Sequence, residues 1–181
     1  TESPPARPLP FAPERSGAMR FERGWHLVSP HSRFGGFSAV ARTGPDRFQL
    51  VGDNGYWTRL TLDSRGAVSD MRIRSLPTPD GRPARKSVAD AEAMVFDPET
   101  GKSWIALENI NQIWRLDADL ATIESRRKLP EPGWPKNSGP EAMARLADGR
   151  TVVFSEDADD DPRGREALIF TGDLAAPGPP P

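Results

Sequence analysis

Three stretches of this chain are imperfect copies of one another, and that repeat restricts the fold more than any other feature. They run from Gly36-Phe37-Ser38-Ala39-Val40 to Leu50-Val51-Gly52-Asp53-Asn54, from Asp90-Ala91-Glu92-Ala93-Met94 to Ile105-Ala106-Leu107-Glu108-Asn109, and from Gly139-Pro140-Glu141-Ala142-Met143 to Val153-Phe154-Ser155-Glu156-Asp157. Each copy is a short apolar run, a tight turn, a second apolar run and then an acidic residue. Copies that recur about every 50 residues mark propeller blades or solenoid units, not one irregular core.

Within each copy the pattern is β. Ser38 to Arg42 and Phe48 to Val51 flank Thr43-Gly44-Pro45-Asp46; Ala93 to Phe96 and Ser103 to Leu107 flank Asp97-Pro98-Glu99-Thr100-Gly101; Ala142 to Leu146 and Thr151 to Phe154 flank Ala147-Asp148-Gly149-Arg150. Asp, Pro and Gly at these points supply hairpin turn geometry. A third strand is expected at Trp57 to Leu62, Gln112 to Leu116 and Ala167 to Phe170, and a fourth at Val68 to Leu76 and Thr122 to Leu129. Four antiparallel strands per repeat make the blade of a β-propeller. A two-sheet β-sandwich also has short strands punctuated by turns, but it does not explain the explicit likeness between the copies.

The expected fold class is therefore all-β, a β-propeller with four-stranded antiparallel blades. About three blades are present, with one isolated strand before them near Arg20 to Val28. Closed propellers have about 4 to 8 blades, so the propeller is expected to be incomplete, with association through its open blade edges. Residues 1–18 carry Pro4, Pro5, Pro8, Pro10 and Pro13 and are expected to be extended and poorly packed; the propeller spans 19–174, and 175–181 form a second proline-rich tail.

Composition removes several classes of function. The formal charge is −2 with acids and bases interspersed, which leaves no electrostatic footprint for nucleic acid or anionic lipid. The uncharged apolar runs are far too short for a membrane-spanning helix. The absence of cysteine excludes disulfides, thiolate metal sites and cysteine nucleophiles. There is no G-x-S-x-G elbow for a serine hydrolase. His26 and His31 have no zinc-site spacing, and Trp57, Trp104, Trp114 and Trp134 are expected to pack between blades. Asp157, Asp159 and Asp161 alternate as in a calcium loop, but Pro162 stands where the turn glycine belongs, so a solvated acidic loop is expected there.

The repeats place carboxylates at two equivalent points. Glu92 and Glu141 enter the first strand of their copies, where the first copy has Ser38; Asp53, Glu108 and Glu156 follow the second strand, the first two succeeded by Asn54 and Asn109. First strands line a propeller's channel and the loops ring its mouth, so five carboxylates are expected to converge. Two readings follow. Like charges in a partly dry channel raise one another's pKa unless a cation compensates, and oxygen ligands suit Ca²⁺, giving Asp53, Asn54, Glu92, Glu108, Glu141 and Glu156 as metal ligands. Alternatively the acids bond backbone donors or pair with Arg33, Arg59, Arg115 and Lys136 and serve only the blades.

The segments Ser32-Arg33-Phe34-Gly35-Gly36-Phe37-Ser38, Val51-Gly52-Asp53-Asn54-Gly55, Asp90 to Met94, Ala106-Leu107-Glu108-Asn109 and Asn137-Ser138-Gly139-Pro140-Glu141-Ala142-Met143 together resemble the bacterial family named for the esterase-like activity of phytase. The resemblance covers about residues 20–174. It implies an exported propeller, periplasmic or secreted, acting on small-molecule phosphate esters. Glu92, Glu108 and Glu141 are then the candidate catalytic carboxylates, and Arg33, Lys136 and Asn137 the candidate phosphate donors. The alternative is a propeller that binds a ligand or partner without catalysis.

Overall fold

The computed structural model describes residues 6–9, 15–129, 134, 138–156 and 166–176. The first repeat forms a four-stranded antiparallel sheet in simple up-and-down order: β5 (Phe37–Arg42), β6 (Arg47–Gly52), β7 (Tyr56–Leu62) and β8 (Val68–Ser75). The second repeats that order with β9 (Ala91–Phe96), β10 (Ser103–Leu107), β11 (Gln112–Leu116) and β12 (Ile123–Lys128). The third contributes β13 (Pro140–Arg145), β14 (Thr151–Ser155) and β15 (Ala167–Phe170). The first strands of the three sheets, β5, β9 and β13, lie side by side in space. These are successive blades of a β-propeller, with inner strands together and later strands outward.

The expected strands fall where the pattern puts them, to within two residues at either end. Each hairpin is closed by the turn chemistry it carries. Asp97 caps the β9–β10 turn by accepting from the Glu99 N–H at 3.0 Å and the Thr100 hydroxyl at 2.8 Å. Gly101 and Gly149 take the positive φ, 71° and 86°, that those turns require.

Burial lies between the blades. Val51, Trp57 and Leu76 of the first blade meet Met94, Ile105, Leu107 and Trp114 of the second, and Ala39 and Ala41 pack against the same cluster. Between the second and third blades, Ile113, Leu129 and Trp134 pack with Val153, Phe170 and Leu174, flanked by Trp104 and Met143. All four interior tryptophans thus sit at blade interfaces, where a wide flat side chain covers the most facing sheet.

Two parts of the expected layout differ. The strand near residues 20–28 is not isolated: β4 (Trp25–Leu27) pairs antiparallel with β1 (Ala6–Pro8), and β2 (Arg15–Ser16) pairs with β3 (Met19–Arg20). An edge pairing tolerates Pro8 because a proline there leaves no inward ladder donor unmade. Ala175 is buried and its carbonyl accepts from the Ser125 hydroxyl, so the last described residues are held against the second blade and are no free tail. No helix of the described residues is long and apolar enough to cross a membrane.

Candidate acidic site at the blade mouth

The same backbone device recurs at the start of all three inner strands. On β5 the ladder passes from Phe37 to Ala39, on β9 from Ala91 to Ala93, and on β13 from Pro140 to Ala142. Ser38, Glu92 and Glu141 are therefore the extra residues of three equivalent β-bulges, which turn a side chain out of the regular alternation. The second acidic position is held just as regularly. The N–H of Asp53 donates to Gly36 O at 3.0 Å, that of Glu108 to Asp90 O at 2.9 Å, and that of Glu156 to Gly139 O at 3.0 Å.

These devices bring Glu92, Glu108, Glu141 and Glu156 together, with a residue the sequence reading did not single out. Carboxylate oxygens of Asp90, Glu92 and Glu108 lie within 4.8 Å of one another, and so do those of Glu108, Glu141 and Glu156. Glu108 belongs to both groups. The signal for Asp90 was in the repeat: its position holds Gly36 in the first copy and Gly139 in the third, and only the second copy carries a side chain there. Glycine suits the other two because the space is taken. A Cβ on Gly36 would stand 2.4 Å from Asp53 Oδ1, and one on Gly139 would stand 2.7 Å from Asn111 Oδ1 and 3.1 Å from Glu108 Cγ.

The electrostatics are those of crowded acids. Burial pushes Glu92 from an ordinary 4.5 up to about 7; Glu141 and Asp90 add repulsion, and a hydrogen bond from the Ser38 hydroxyl opposes the rise. Glu108 is pushed up by burial, then by Asp90 and Glu156, against the Gly139 N–H, and Glu141 is pushed up by burial and by Glu156, Glu108 and Asp90. Asp90 is 2% exposed. Its Oδ2 accepts from Asn109 Nδ2, while its Oδ1 makes no hydrogen bond and has only a long ion pair, 3.5 Å, to Lys86 Nζ. A buried carboxylate oxygen left so is expensive. A proton shared with Glu92 or a hard cation would satisfy it, and the all-oxygen donor set fits a cation of the calcium type.

Asp53 and Asn54 are not in either group. Asp53 is ion-paired at 2.9 Å with Lys86, which is carried by α1 (Lys86–Ala89) just before the second blade. Asn54 accepts from the Tyr56 N–H at 3.0 Å and donates to Gly35 O, which fixes its turn. Arg33 lies on that side of the mouth, its guanidinium 5.0 Å from the Tyr56 ring centroid. Lys136 and Asn137, and the alternating Asp157, Asp159 and Asp161, lie outside the described residues. Two of the basic partners expected under the purely structural reading are engaged elsewhere: Arg59 with Asp119, Arg115 with Glu124 and Asp173. Among the described residues, Lys86 is the base that meets the acids.

A propeller whose successive blades bring bulge-mounted carboxylates to one mouth is the class of protein defined here. The chain belongs to the phytase-like family described as "Esterase-like activity of phytase", which matches residues 32–181. Among solved structures it is similar to a luciferin-regenerating enzyme, at 15% identity and a TM-score of 0.56 over 83% of this chain and 48% of that one. A streptogramin B lyase gives 16% identity and a TM-score of 0.44 over 75% of this chain and 40% of that one. The WD40 domain of Neurospora crassa Pan2 gives 13% identity and a TM-score of 0.37 over 70% and 47%. The chain thus spans about half the length of the luciferin-regenerating enzyme it matches. No curated protein matches it.

Proposed function

We propose that this chain carries part of the active site of an exported, cation-dependent propeller hydrolase acting on small-molecule phosphate esters. The observation that carries the reading is the pair of carboxylate groups joined at Glu108, one of them containing the buried, unsatisfied Asp90 Oδ1. Asp90, Glu92 and Glu108 would hold one cation, Ca²⁺ first among candidates, and Glu108, Glu141 and Glu156 a second. A cation held there would supply neutralisation of phosphate oxygens and a lowered pKa for bound water.

The remaining work falls to the chain. Whichever of Glu92, Glu108 and Glu141 is not bound to a cation would keep its raised proton affinity and be suited to take a proton from an attacking water. Lys86, anchored by Asp53, and Arg33, over Tyr56, stand at the mouth as candidate phosphate donors, with Lys136 and Asn137 from the sequence reading. The family supports phosphate esters as the substrate class, and the acids support the cation.

The test is calorimetry with Ca²⁺ followed by phosphate release from inositol phosphates and aryl phosphates. Saturable Ca²⁺ binding with turnover that stops on chelation is the expected result. Ca²⁺ binding without turnover on any ester assigns the acids to a non-catalytic, ligand-binding propeller. No Ca²⁺ binding removes the reading.

A further inference from the structure

The opposite end of the first blade carries a second concentration of charge, of the other sign. A cavity of about 380 Å³ is lined by Thr43, Arg47, Arg59, Thr61, Asp70 and Arg72. Arg47 opens β6 and Asp53 follows its end, so the cavity lies roughly 20 Å along the strand from the acidic mouth at about 3.3 Å per residue. It is a separate place with separate chemistry.

Its arginines are placed by the ladder. Arg47 stands opposite Thr61, and Arg59 directly opposite Arg72. Like charges facing each other across a strand pair destabilise a sheet. Between Arg59 and Thr61 the register shifts, and Asp70 on the bulged strand takes a φ of 50°. Such a bulge re-aims side chains at a blade's edge. Arg59 is tied down: Nε donates to Gln49 Oε1 at 2.8 Å, Nη2 to the Ala118 carbonyl, and Asp119 lies 3.8 Å away. The guanidinium groups of Arg47 and Arg72 have no hydrogen bond or ion pair among the described residues. Asp70, the one carboxylate in the lining, makes no ion pair with them there. Burial lowers the pKa of Arg59, the Asp119 and Asp117 carboxylates raise it, and Arg72 adds repulsion.

We infer that this cavity is an anion site for a phosphate group, inorganic or the head of a phosphate monoester, gripped by Arg47 and Arg72 and bonded by the Thr43 and Thr61 hydroxyls. Two unengaged guanidinium forks beside two hydroxyls match the several acceptor oxygens of a phosphate. An anion between Arg59 and Arg72 also relieves their cross-strand repulsion. The volume admits a phosphorylated small molecule and is within the range of ligand pockets. The assignment does not depend on the hydrolase reading, since none of its residues lies at the acidic mouth.

The test is calorimetric titration of the chelator-treated protein at pH 7 and low ionic strength, with inorganic phosphate and with glycerol phosphate. Without cations the acidic mouth repels phosphate, so the heat reports the arginine cavity. Saturable binding of at least one of the two is expected. It should weaken roughly tenfold or more in Arg72→Gln and in Arg47→Gln, each losing charge-assisted hydrogen bonds. Both side chains are exposed, so melting curves should stay at the wild-type position and show the fold intact. Arg126→Gln, which removes an exposed charge from β12, should bind as wild type. Absence of saturable binding for both anions, or wild-type affinity in the Arg47→Gln/Arg72→Gln double variant, overturns the assignment. An equal loss in Arg126→Gln overturns it too, because it would show attraction by net charge alone.

Discussion

The mouths of the first and second blades have the same backbone and different electrostatics, one with its charge paired and one with acids crowded. Both begin their inner strand with a bulge, and both pin the residue after the second strand through its N–H. In the first blade those positions hold Gly36, Ser38 and Asp53, and the one carboxylate is neutralised by Lys86 at 2.9 Å. In the second they hold Asp90, Glu92 and Glu108, with a single ammonium 3.5 Å from one buried oxygen. A repeat therefore fixes where side chains point and leaves the chemistry to the residue types. The first blade shows how an acidic position looks when its charge is satisfied by a neighbouring ammonium, and the second how it looks when acids crowd one another.

The sharpest way to break the comparison is to neutralise one acid in each blade. Glu108→Gln should weaken Ca²⁺ binding by tenfold or more, since Glu108 serves both carboxylate groups and outer partners of metal sites alone are worth about 10- to 100-fold. Asp53→Asn should change it little, because Asp53 lies in neither group. Calorimetry on the two variants side by side decides the matter, and equal losses would erase the distinction between the blades.

Next in size is the response to pH. Glu92 has a folded-state pKa near 7 against an ordinary 4.5, so its favourable contribution is complete below 4.5 and is lost as pH rises through 7. Glu108 and Glu141 shift in the same sense. Asp97, held below the usual carboxylate range by the Thr100 hydroxyl, acts only under acid conditions outside that window. Without cations the melting temperature should fall between about pH 5 and pH 8, and Ca²⁺ should restore it most at the upper end. A flat profile would mean that the acids are not crowded in solution.

A smaller effect is expected from Lys86→Met, which frees Asp53 and Asp90 together. Removing a competing ammonium a few ångströms away is worth about 1 kcal/mol at near-aqueous screening. Ca²⁺ should then bind roughly fivefold more tightly, measured by the same titration. Smallest is Ser38→Ala, which deletes the hydroxyl that holds Glu92 down. The Glu92 carboxyl, followed by nuclear magnetic resonance, should titrate higher by up to about one pH unit. A downward shift would show that the first blade does not reach into the second blade's acids.

Much of this was legible before any coordinates. The hairpins around Asp97 and Gly149 follow from turn residues, and Glu92, Glu108, Glu141 and Glu156 could be grouped because repeats related by rotation bring equal positions to one axis. Asp90 was readable in principle as the single side chain at a glycine position. Lys86 was not: it lies on a four-residue helix in the link between the first and second blades, outside the repeated segments. Asp53 and Asn54 looked like ligands by position, yet one is paired with that lysine and the other holds its own turn.

The order of strands, the interfaces of Trp57 and Trp114, and the recurrence of acids at the ends of strands were determined by the sequence alone, because each rests on local pattern and on a period that translates directly into geometry. Which acids share a space was decided by the tertiary structure. Bulges at Ser38, Glu92 and Glu141 arise only when strands pair. The meeting of Lys86 with Asp53, and of Arg59 with Arg72, depends on how separate strands and links come to lie together, and charge interacts through space with no regard for distance along the chain.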